Sequence, residues 1–345
     1  MRAVLCGYYG FGNGGDEALL AALLQMLPAH VEPLVLAADP RAAERRTGVR
    51  CCDRWNLPAV TRAIATADAF VWGGGSLLQD VTGPSSVVYY GGLMALAQSL
   101  GKRTIAWAQG LGPLKRPWSR RFARTVLGRC TAVTVRDQGS AELLEDWQIP
   151  FTLTCDPVWA LEAQPTTVGS DLPAPRIAVI LRPHPELTAE RLAVLVDALD
   201  RFQRTTGGSV LAVPFQRTSD SALAQQVLAK LSGPCLLADL DEPRQLLGLL
   251  ATVQFTVAMR LHGALMAAAG GSAVWGLIYD PKVAQLLRQI NAPGSTFGDL
   301  PASSAELCNA WLSHYTAGST LAERERDAWA ERARSNRDVL ERVLG

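Results

Sequence analysis

The sequence has no motif for holding a metal ion and little net charge. Its four histidines (30, 184, 262 and 314) show no HxH or HExxH spacing, and its seven cysteines include no CxxC pair. We therefore expect neither a zinc site nor a disulfide framework, and no metal cofactor. A net charge of +1 gives no global field for nucleic acid, so binding of an anion requires locally clustered arginine and lysine.

No signal-peptide pattern precedes the first strand-like run, so we expect a cytoplasmic protein, with peripheral contact at the inner face of the membrane left open. The apolar stretch 246–279 is long enough to cross a bilayer. Arg260, His262 and several glycines interrupt it, which favours a buried strand, helix and strand over a transmembrane span.

Short apolar runs alternate with helical patterns along the whole chain, and 48% of the residues are hydrophobic. This alternation predicts an α/β protein with two Rossmann-like domains, each a parallel sheet flanked by helices. The segment 162–175 is rich in proline and has no periodicity, so it is the best linker candidate. We expect an N-terminal domain over 1–165, a second domain over 166–318, a ligand cleft between them, and a terminal helix in 319–345 that packs back on the first domain.

The most informative segment is 258–263, where Arg260 and His262 stand between a strand-like run and an apolar helix-like run. Ligands of open α/β sheets bind at the carboxyl ends of strands, so this position predicts an anion site. Lys282 follows a later strand and is a further cation candidate, although a single lysine in a loop is usually solvated.

A glycine-rich loop, 7–15, follows the first strand and leads into a helix that opens with Asp16 and Glu17. The loop contains Asn13 and two aromatic residues, and it matches neither a dinucleotide fingerprint nor a P-loop. It predicts ligand binding. The alternative for Asp16 is a purely structural role at the positive end of the helix dipole.

Two other strand ends carry candidate ligands. One has Gly73, Gly74 and Gly75 followed by Asp80, where backbone amides can approach a sugar, a phosphate or another loop. The other has Arg136, which either points toward a ligand or pairs with its neighbour Asp137. Arg182 and His184, after the first strand of the second half, are equally ambiguous.

Taken together, these motifs resemble the polysaccharide pyruvyl transferases, and most closely their bacterial cell-surface branch, the CsaB type. The resemblance covers nearly the whole chain and rests on GYYGFGNGGDEALL, WGGGSLLQD, AQGLGP, TVRDQGS, CDPVWAL, MRLHGALMAA and YDPKV, in that order. It implies a fold similar to the GT-B glycosyltransferases, phosphoenolpyruvate as the donor, and as the acceptor a hydroxyl pair on a sugar of a cell-surface polysaccharide or its lipid-linked precursor. On the family's pattern the donor-binding residues are Arg136, Arg260, His262 and Lys282.

The chemistry of the residues fits this resemblance. Phosphoenolpyruvate carries a carboxylate and a phosphate, which arginine forks can bind bidentately. Ketal formation requires a proton for the enol methylene, and His262 is the candidate acid because imidazole titrates near neutrality. Asp16 or Glu17 would accept the proton of the sugar hydroxyl.

Two other functions remain open at this point. A GT-B glycosyltransferase would use the same basic residues to hold a nucleotide-sugar diphosphate. A sugar-binding or regulatory protein with a degraded site would need none of those charged residues, so their joint presence argues against it.

Overall fold

The computed structural model describes residues 1–81 and 83–345, and the chain divides into two compact units. The first unit comprises residues 1–161 together with 328–345, and the second comprises 162–327. Each unit contains one parallel sheet flanked by helices, which confirms the predicted fold class. The division follows Leu161, a few residues before the predicted domain boundary.

The first unit is built on a seven-stranded sheet in the order β3-β2-β1-β4-β5-β6-β7, and all neighbouring strands are parallel. Its strands are β1 (Arg2–Cys6), β2 (Glu32–Ala37), β3 (Cys51–Asp53), β4 (Ala69–Trp72), β5 (Arg103–Gln109), β6 (Ala132–Val135) and β7 (Thr152–Leu153). The order changes direction at β1 and β4, which is where open sheets of this kind bind ligands.

Helices connect these strands. They are α1 (Gly14–Met26), α2 (Pro40–Thr47), α3 (Leu57–Thr66), α4 (Ser85–Ser99), α5 (Pro117–Leu127), α6 (Gln138–Asp146) and a short 3-10 helix (Pro157–Ala160). Residues of α3, α4, α5 and α6 share one buried apolar cluster with alternate residues of the strands. These four helices therefore cover the same face of the sheet.

The second unit repeats the design with a six-stranded parallel sheet in the order β10-β9-β8-β11-β12-β13. Its strands are β8 (Arg176–Ile180), β9 (Ser209–Ala212), β10 (Cys235–Leu237), β11 (Phe255–Ala258), β12 (Ala273–Ile278) and β13 (Gly294–Thr296). Its helices are α7 (Ala189–Thr206), α8 (Arg217–Leu228), α9 (Pro243–Leu250), α10 (Leu261–Ala269), α11 (Pro281–Gln289) and α12 (Ser304–Ala317). The stretch 246–279 contains the end of α9 followed by β11, α10 and β12, and these last three are the predicted strand, helix and strand.

Capping side chains fix where the helices begin. Asn13, Asp39, Asn56 and Asp137 each accept a hydrogen bond from a backbone N–H of the first helical turn. Proline occupies the first turn of several helices, where its missing N–H costs nothing. Most of these helices follow a strand, so the loop residues between a strand and the next helix are presented at the carboxyl edge of the sheet.

The terminal helix α13 spans Glu323–Leu344, and its residues from Ala328 onward belong to the first unit. Its buried Asn336 donates to the Cys155 carbonyl at 3.1 Å and accepts a bond from the Thr154 hydroxyl at 2.9 Å. This satisfied polar contact fixes the helix on the unit. Within residues 1–81 and 83–345, no helix is long and apolar enough to cross a membrane.

Candidate functional site

The loop after β1 is closed by hydrogen bonds to Glu17. Its Oε1 accepts from the backbone N–H of Gly10 at 2.9 Å and of Gly12 at 3.3 Å. Both glycines have positive φ, 77° and 69°, a conformation that other residues adopt with strain. Asn13 Oδ1 accepts from Gly15 N at 3.1 Å and caps α1. The contacts of Asn13 and Glu17 thus shape the loop itself.

Glu17 also pairs with Arg46 of α2, whose Nη2 lies 2.5 Å from Oε2, and the glutamate side chain is only 2% exposed. Burial raises the pKa of Glu17 to about 7, against the opposing effects of Arg46 and the two glycine amides. A carboxyl group titrating near neutrality is suited to accept a proton. Both of its oxygens receive protein hydrogen bonds, however, and Asp16 is the more exposed of the two predicted acids.

Close packing accounts for two of the three glycines after β4. A Cβ on Gly73 would lie 1.7 Å from Tyr9 Oη, and one on Gly74 would lie 2.8 Å from Leu19 Cδ2. No side chain fits at Gly73, and one at Gly74 would require the Leu19 side chain to shift. The loop after β4 therefore lies directly against α1 and the loop that precedes it.

Gly75 has a φ of 125°, and a Cβ there would lie 3.7 Å from Asp16 Oδ1. Its carbonyl accepts from Gly110 N at 2.8 Å, which joins the loops after β4 and β5. A Cβ on Gly110 would lie 3.0 Å from Ser76 Oγ and 3.2 Å from Arg136 Nε. The structure thus places three predicted residues, Asp16, Gly75 and Arg136, around the joined loops at the carboxyl edge.

Arg136 is paired within the unit. Its Nη1 donates to Asp156 Oδ2, and its Nη2 lies 3.4 Å from Ser76 Oγ, with both charged side chains 8% exposed. Asp137, the partner considered from sequence, has a different contact: its Oδ1 accepts from Ser140 N at 2.8 Å and caps α6. The buried pair with Asp156 holds the arginine in place beside the loops.

Asp80 is buried, and it orders the start of α5. Its two carboxylate oxygens accept from Lys115 N at 2.7 Å and from Arg116 N at 2.8 Å. Through these contacts Asp80 has a structural role at the start of α5. Its role as a substrate ligand stays a prediction.

In the second unit, Arg260 forms a bidentate pair with Asp220. Arg260 Nε donates to Oδ2 at 2.7 Å and Nη2 donates to Oδ1 at 2.6 Å, with both residues buried. The carboxylate also accepts from Gln216 N at 2.9 Å and from the Ser219 hydroxyl at 2.7 Å. Asp220 therefore fixes the guanidinium at the end of β11, and Nη1 takes no part in this pair.

His262 and Lys282 lie in the first turns of α10 and α11, behind the neighbouring strands β11 and β12, and both are half-buried. Gly263, beside the histidine, is required by packing, because a Cβ there would lie 2.8 Å from Ile180 Cγ2 of β8. Arg260, His262 and Lys282 are thus presented at one edge of the second sheet, as the sequence predicts for strand-end residues.

Arg182 and His184, after β8, lie at the same edge. The guanidinium of Arg182 lies 5.3 Å from the ring centroid of Tyr279, and Nη1 lies 3.3 Å from that tyrosine's hydroxyl. His184 packs between Tyr279 and Phe297, with ring centroids 5.1 and 6.0 Å apart. These two residues are held by aromatic contacts.

Sequence reasoning missed three charged partners: Arg46, Asp156 and Asp220. Asp220 follows β9 in the first turn of α8, so the strand-end rule that selected Arg260 also applied to it. Asp156 lies in the CDPVWAL motif but carried no assignment of its own. Among the residues that the structure describes, no group of three or more His, Cys, Asp or Glu side chains could hold a metal ion.

The comparison with protein families decides which family this is. The family model described as polysaccharide pyruvyl transferase matches residues 13–281. The chain belongs to this family. The matched segment contains Arg136, Arg260 and His262 and ends one residue before Lys282. Among curated proteins, no individual protein matches this sequence closely enough to count as a relative.

Solved structures share the fold at low sequence identity. The UDP-GlcNAc 2-epimerase from Neisseria meningitidis bound to UDP-GlcNAc is 11% identical, with a TM-score of 0.65 and 100% of both chains covered. A glycosyltransferase from Rickettsia africae is 12% identical with a TM-score of 0.55, covering 99% of this chain and 98% of its own. MurG from Acinetobacter baumannii is 12% identical with a TM-score of 0.51, covering 100% and 99%. These likenesses show a GT-B-like fold and nothing about substrates.

Proposed function

We propose that this pyruvyl transferase moves the enolpyruvyl-derived group of phosphoenolpyruvate onto two hydroxyls of a sugar, forming a pyruvate ketal and releasing phosphate. The observation that carries the proposal is the family match over 13–281, together with Arg136, Arg260, His262 and Lys282 at carboxyl ends of strands. The acceptor would be a cell-surface polysaccharide or its lipid-linked precursor, as in the CsaB-type branch, and the reaction would take place in the cytoplasm.

The cations suit a donor with two anionic groups. Arg136 and Arg260 are each oriented by a buried aspartate, so their guanidinium groups are held in one geometry before a ligand arrives. Each pair is close to neutral overall, and Lys282 would supply further positive charge for the phosphate. Hydrogen bonds from the two guanidinium groups, together with the charge of Lys282 and the proton supplied by His262, would hold the donor without a divalent metal or other cofactor.

The reaction balances with three proton transfers. His262 would give a proton to the methylene carbon of phosphoenolpyruvate, and one sugar hydroxyl would add to the neighbouring carbon while losing its proton to Asp16 or Glu17. Phosphate would then leave, and the second hydroxyl would take its place, close the ring and lose its proton to the departing phosphate. One donor and one diol thus give one ketal and one inorganic phosphate.

Ligand-induced stabilisation separates this function from the alternatives. Phosphoenolpyruvate alone should raise the melting temperature of the protein, because a ligand that binds only the folded state stabilises it. Stabilisation by UDP or GDP, with none by phosphoenolpyruvate, would instead identify a nucleotide-sugar glycosyltransferase. If phosphoenolpyruvate, UDP and GDP all fail to stabilise the protein, the result would fit a degraded sugar-binding site and would contradict the proposal.

The role of His262 is tested by His262→Gln, with His30→Gln as the matched control because His30 is exposed and lies in the other unit. Loss of the acid should lower turnover about 10²–10⁴-fold while donor affinity stays nearly unchanged, since glutamine still donates a hydrogen bond. If His262 only binds the phosphate, the variant protein should lose affinity for the donor first. If His262 is structural, the melting temperature of the variant should fall. Near-normal turnover in a folded variant rejects the acid role.

A further inference from the structure

The segment from Val81 to Arg136 contains no aspartate or glutamate, although it contains nine lysines and arginines. At the chain's average of 32 acids in 345 residues, about five would be expected in a segment of this length. The whole chain is nearly neutral, so this segment concentrates positive charge in one part of the first unit.

Most of these charges lie on or beside helix α5, in exposed positions. They are Lys115, Arg116, Arg120, Arg121, Arg124 and Arg129. Trp118, in the first turn of the same helix, is 45% exposed. The apolar side of α5 packs in the core, so its exposed side offers positive charge and one tryptophan, two features that favour contact with an anionic membrane interface.

The neighbouring helix α4 adds an uncharged surface. None of its fifteen residues is charged, and Val88 is 57% exposed on its outer side. The two helices lie in close contact, because a Cβ on Gly91 would lie 2.4 Å from Phe122 Cε1 of α5. An uncharged helix and a basic helix therefore lie side by side on one face of the sheet.

Exposed apolar side chains extend this surface along the carboxyl edge of the sheet. Among the residues described by the structure, seven large hydrophobic side chains are exposed, and all are in the first unit. Five of them follow β3, β4 and β5 in the chain: Trp55, Leu57, Val81, Val88 and Trp118. The ring of Trp55 lies 5.7 Å from that of Tyr89 in α4, and Asp80, beside Val81, accepts from Lys115 N before α5, so the segments that carry these side chains lie next to one another.

We propose that this surface, formed by the starts of α3 and α4 and the outer face of α5, docks the protein on an anionic phospholipid bilayer. The cations would bind lipid phosphates while Trp118, Trp55 and Val88 enter the interfacial layer. Charge complementarity favours a lipid bilayer over a neutral partner, and the exposed apolar side chains favour it over a nucleic acid. The acids of α6 (Glu142, Glu145, Asp146) limit the surface on the side where Arg120 lies 6.0 Å from the Trp147 ring centroid.

The docking surface includes the carboxyl edge of the first sheet. On the proposed function, docking would bring the loops after β1, β4 and β5 to the membrane, where a lipid-linked sugar is presented. The surface is defined by its charge and exposed side chains, so vesicle binding requires neither donor nor acceptor.

The test is sedimentation of the full chain with vesicles of phosphatidylcholine alone or mixed with phosphatidylglycerol. The protein should bind the anionic vesicles at low salt, dissociate from them at high salt, and not bind the neutral vesicles. R121A/R124A should weaken partitioning by about 25-fold, since each charge near the surface contributes about fivefold. Trp118→Ala should weaken it severalfold. R332A/R334A is the matched control, because it removes two exposed arginines from α13, which lies outside the apolar cluster shared by α3, α4, α5 and α6, and it should change binding less than about twofold.

Failure of the unmodified protein to bind anionic vesicles would overturn the docking proposal, and so would equal binding by R121A/R124A and R332A/R334A. Binding to RNA or heparin without binding to vesicles would show a polyanion site and would equally overturn it. Stabilisation by phosphoenolpyruvate with no vesicle binding would leave the proposed function standing and reject only the surface.

Discussion

Replacing Asp220 should reveal how far Arg260 depends on its buried partner. The aspartate accepts from four groups: Nε and Nη2 of Arg260, Gln216 N and the Ser219 hydroxyl. In Asp220→Asn, an NH2 group replaces one of the two accepting oxygens, whichever way the amide is oriented. That NH2 group then faces groups that are themselves hydrogen-bond donors. At least one contact with Arg260 is therefore lost, and the guanidinium charge stays buried without compensation.

The expected cost follows from that burial. Breaking a buried pair by removing one partner costs about 3–5 kcal/mol, and the side chains of Asp220 and Arg260 are 0% and 9% exposed. For a unit of this size, about 2–4 °C is lost per kcal/mol, so the melting temperature should fall by roughly 6–20 °C. Asp241→Asn is the control, because Asp241 pairs with Arg217 at the surface and should contribute less than about 1 kcal/mol.

A double variant separates stability from donor binding. D220L/R260M replaces the pair by apolar side chains of similar size and should regain most of the lost stability. If Arg260 holds the donor, this stable protein should still fail to bind phosphoenolpyruvate in calorimetry. A loss below about 1 kcal/mol in Asp220→Asn would refute the burial argument. Normal phosphoenolpyruvate affinity in the double variant would make Arg260 purely structural.

Three further outcomes follow from the site. Arg136→Ala should weaken phosphoenolpyruvate binding by about 2–4 kcal/mol in titration calorimetry, and unchanged affinity would reduce Arg136 to the partner of Asp156. Burial raises the pKa of Glu17 from 4.5 to about 7, so the folded state binds the carboxyl proton more tightly than the unfolded state. Proton binding therefore stabilises the fold fully below pH 4.5, and this stabilisation is lost as the pH rises through 7. Glu17→Gln should remove this slope of up to about 1.4 kcal/mol per pH unit from unfolding measured between pH 5 and 7, and an unchanged slope would reject the titration. Turnover should survive EDTA, because side chains supply the positive charge, and activity restored only by Mg²⁺ or Mn²⁺ would contradict this.

The central strands were predictable because they are continuous apolar runs, buried on both faces. The run ending before Arg260 became β11, and the run before Gly7 became β1. The edge strands β3 and β13 were not predicted. They are three residues long and partly exposed, so their sequences lack the apolar pattern that marks a buried strand.

The strand-end rule located the charged residues but not their partners. It selected Arg136 and Arg260 from the chain alone, because a strand end is a local property. Their partners Asp156 and Asp220 lie 20 and 40 residues away along the chain, and spacing alone does not determine such contacts. Gly73 and Gly74 illustrate the same limit, since the sequence favoured ligand binding and the structure shows them packed against Tyr9 and Leu19.

Product analysis tests the proposed reaction most directly. The protein would be incubated with phosphoenolpyruvate and N-acetylhexosamine glycolipids, with inorganic phosphate and the acceptor's mass measured together. We expect phosphate release only when both substrates are present, and an acceptor heavier by one pyruvate less one water, with a ketal methyl signal in the NMR spectrum. Phosphate release without a modified acceptor, or transfer of a sugar from a nucleotide donor instead, would contradict it.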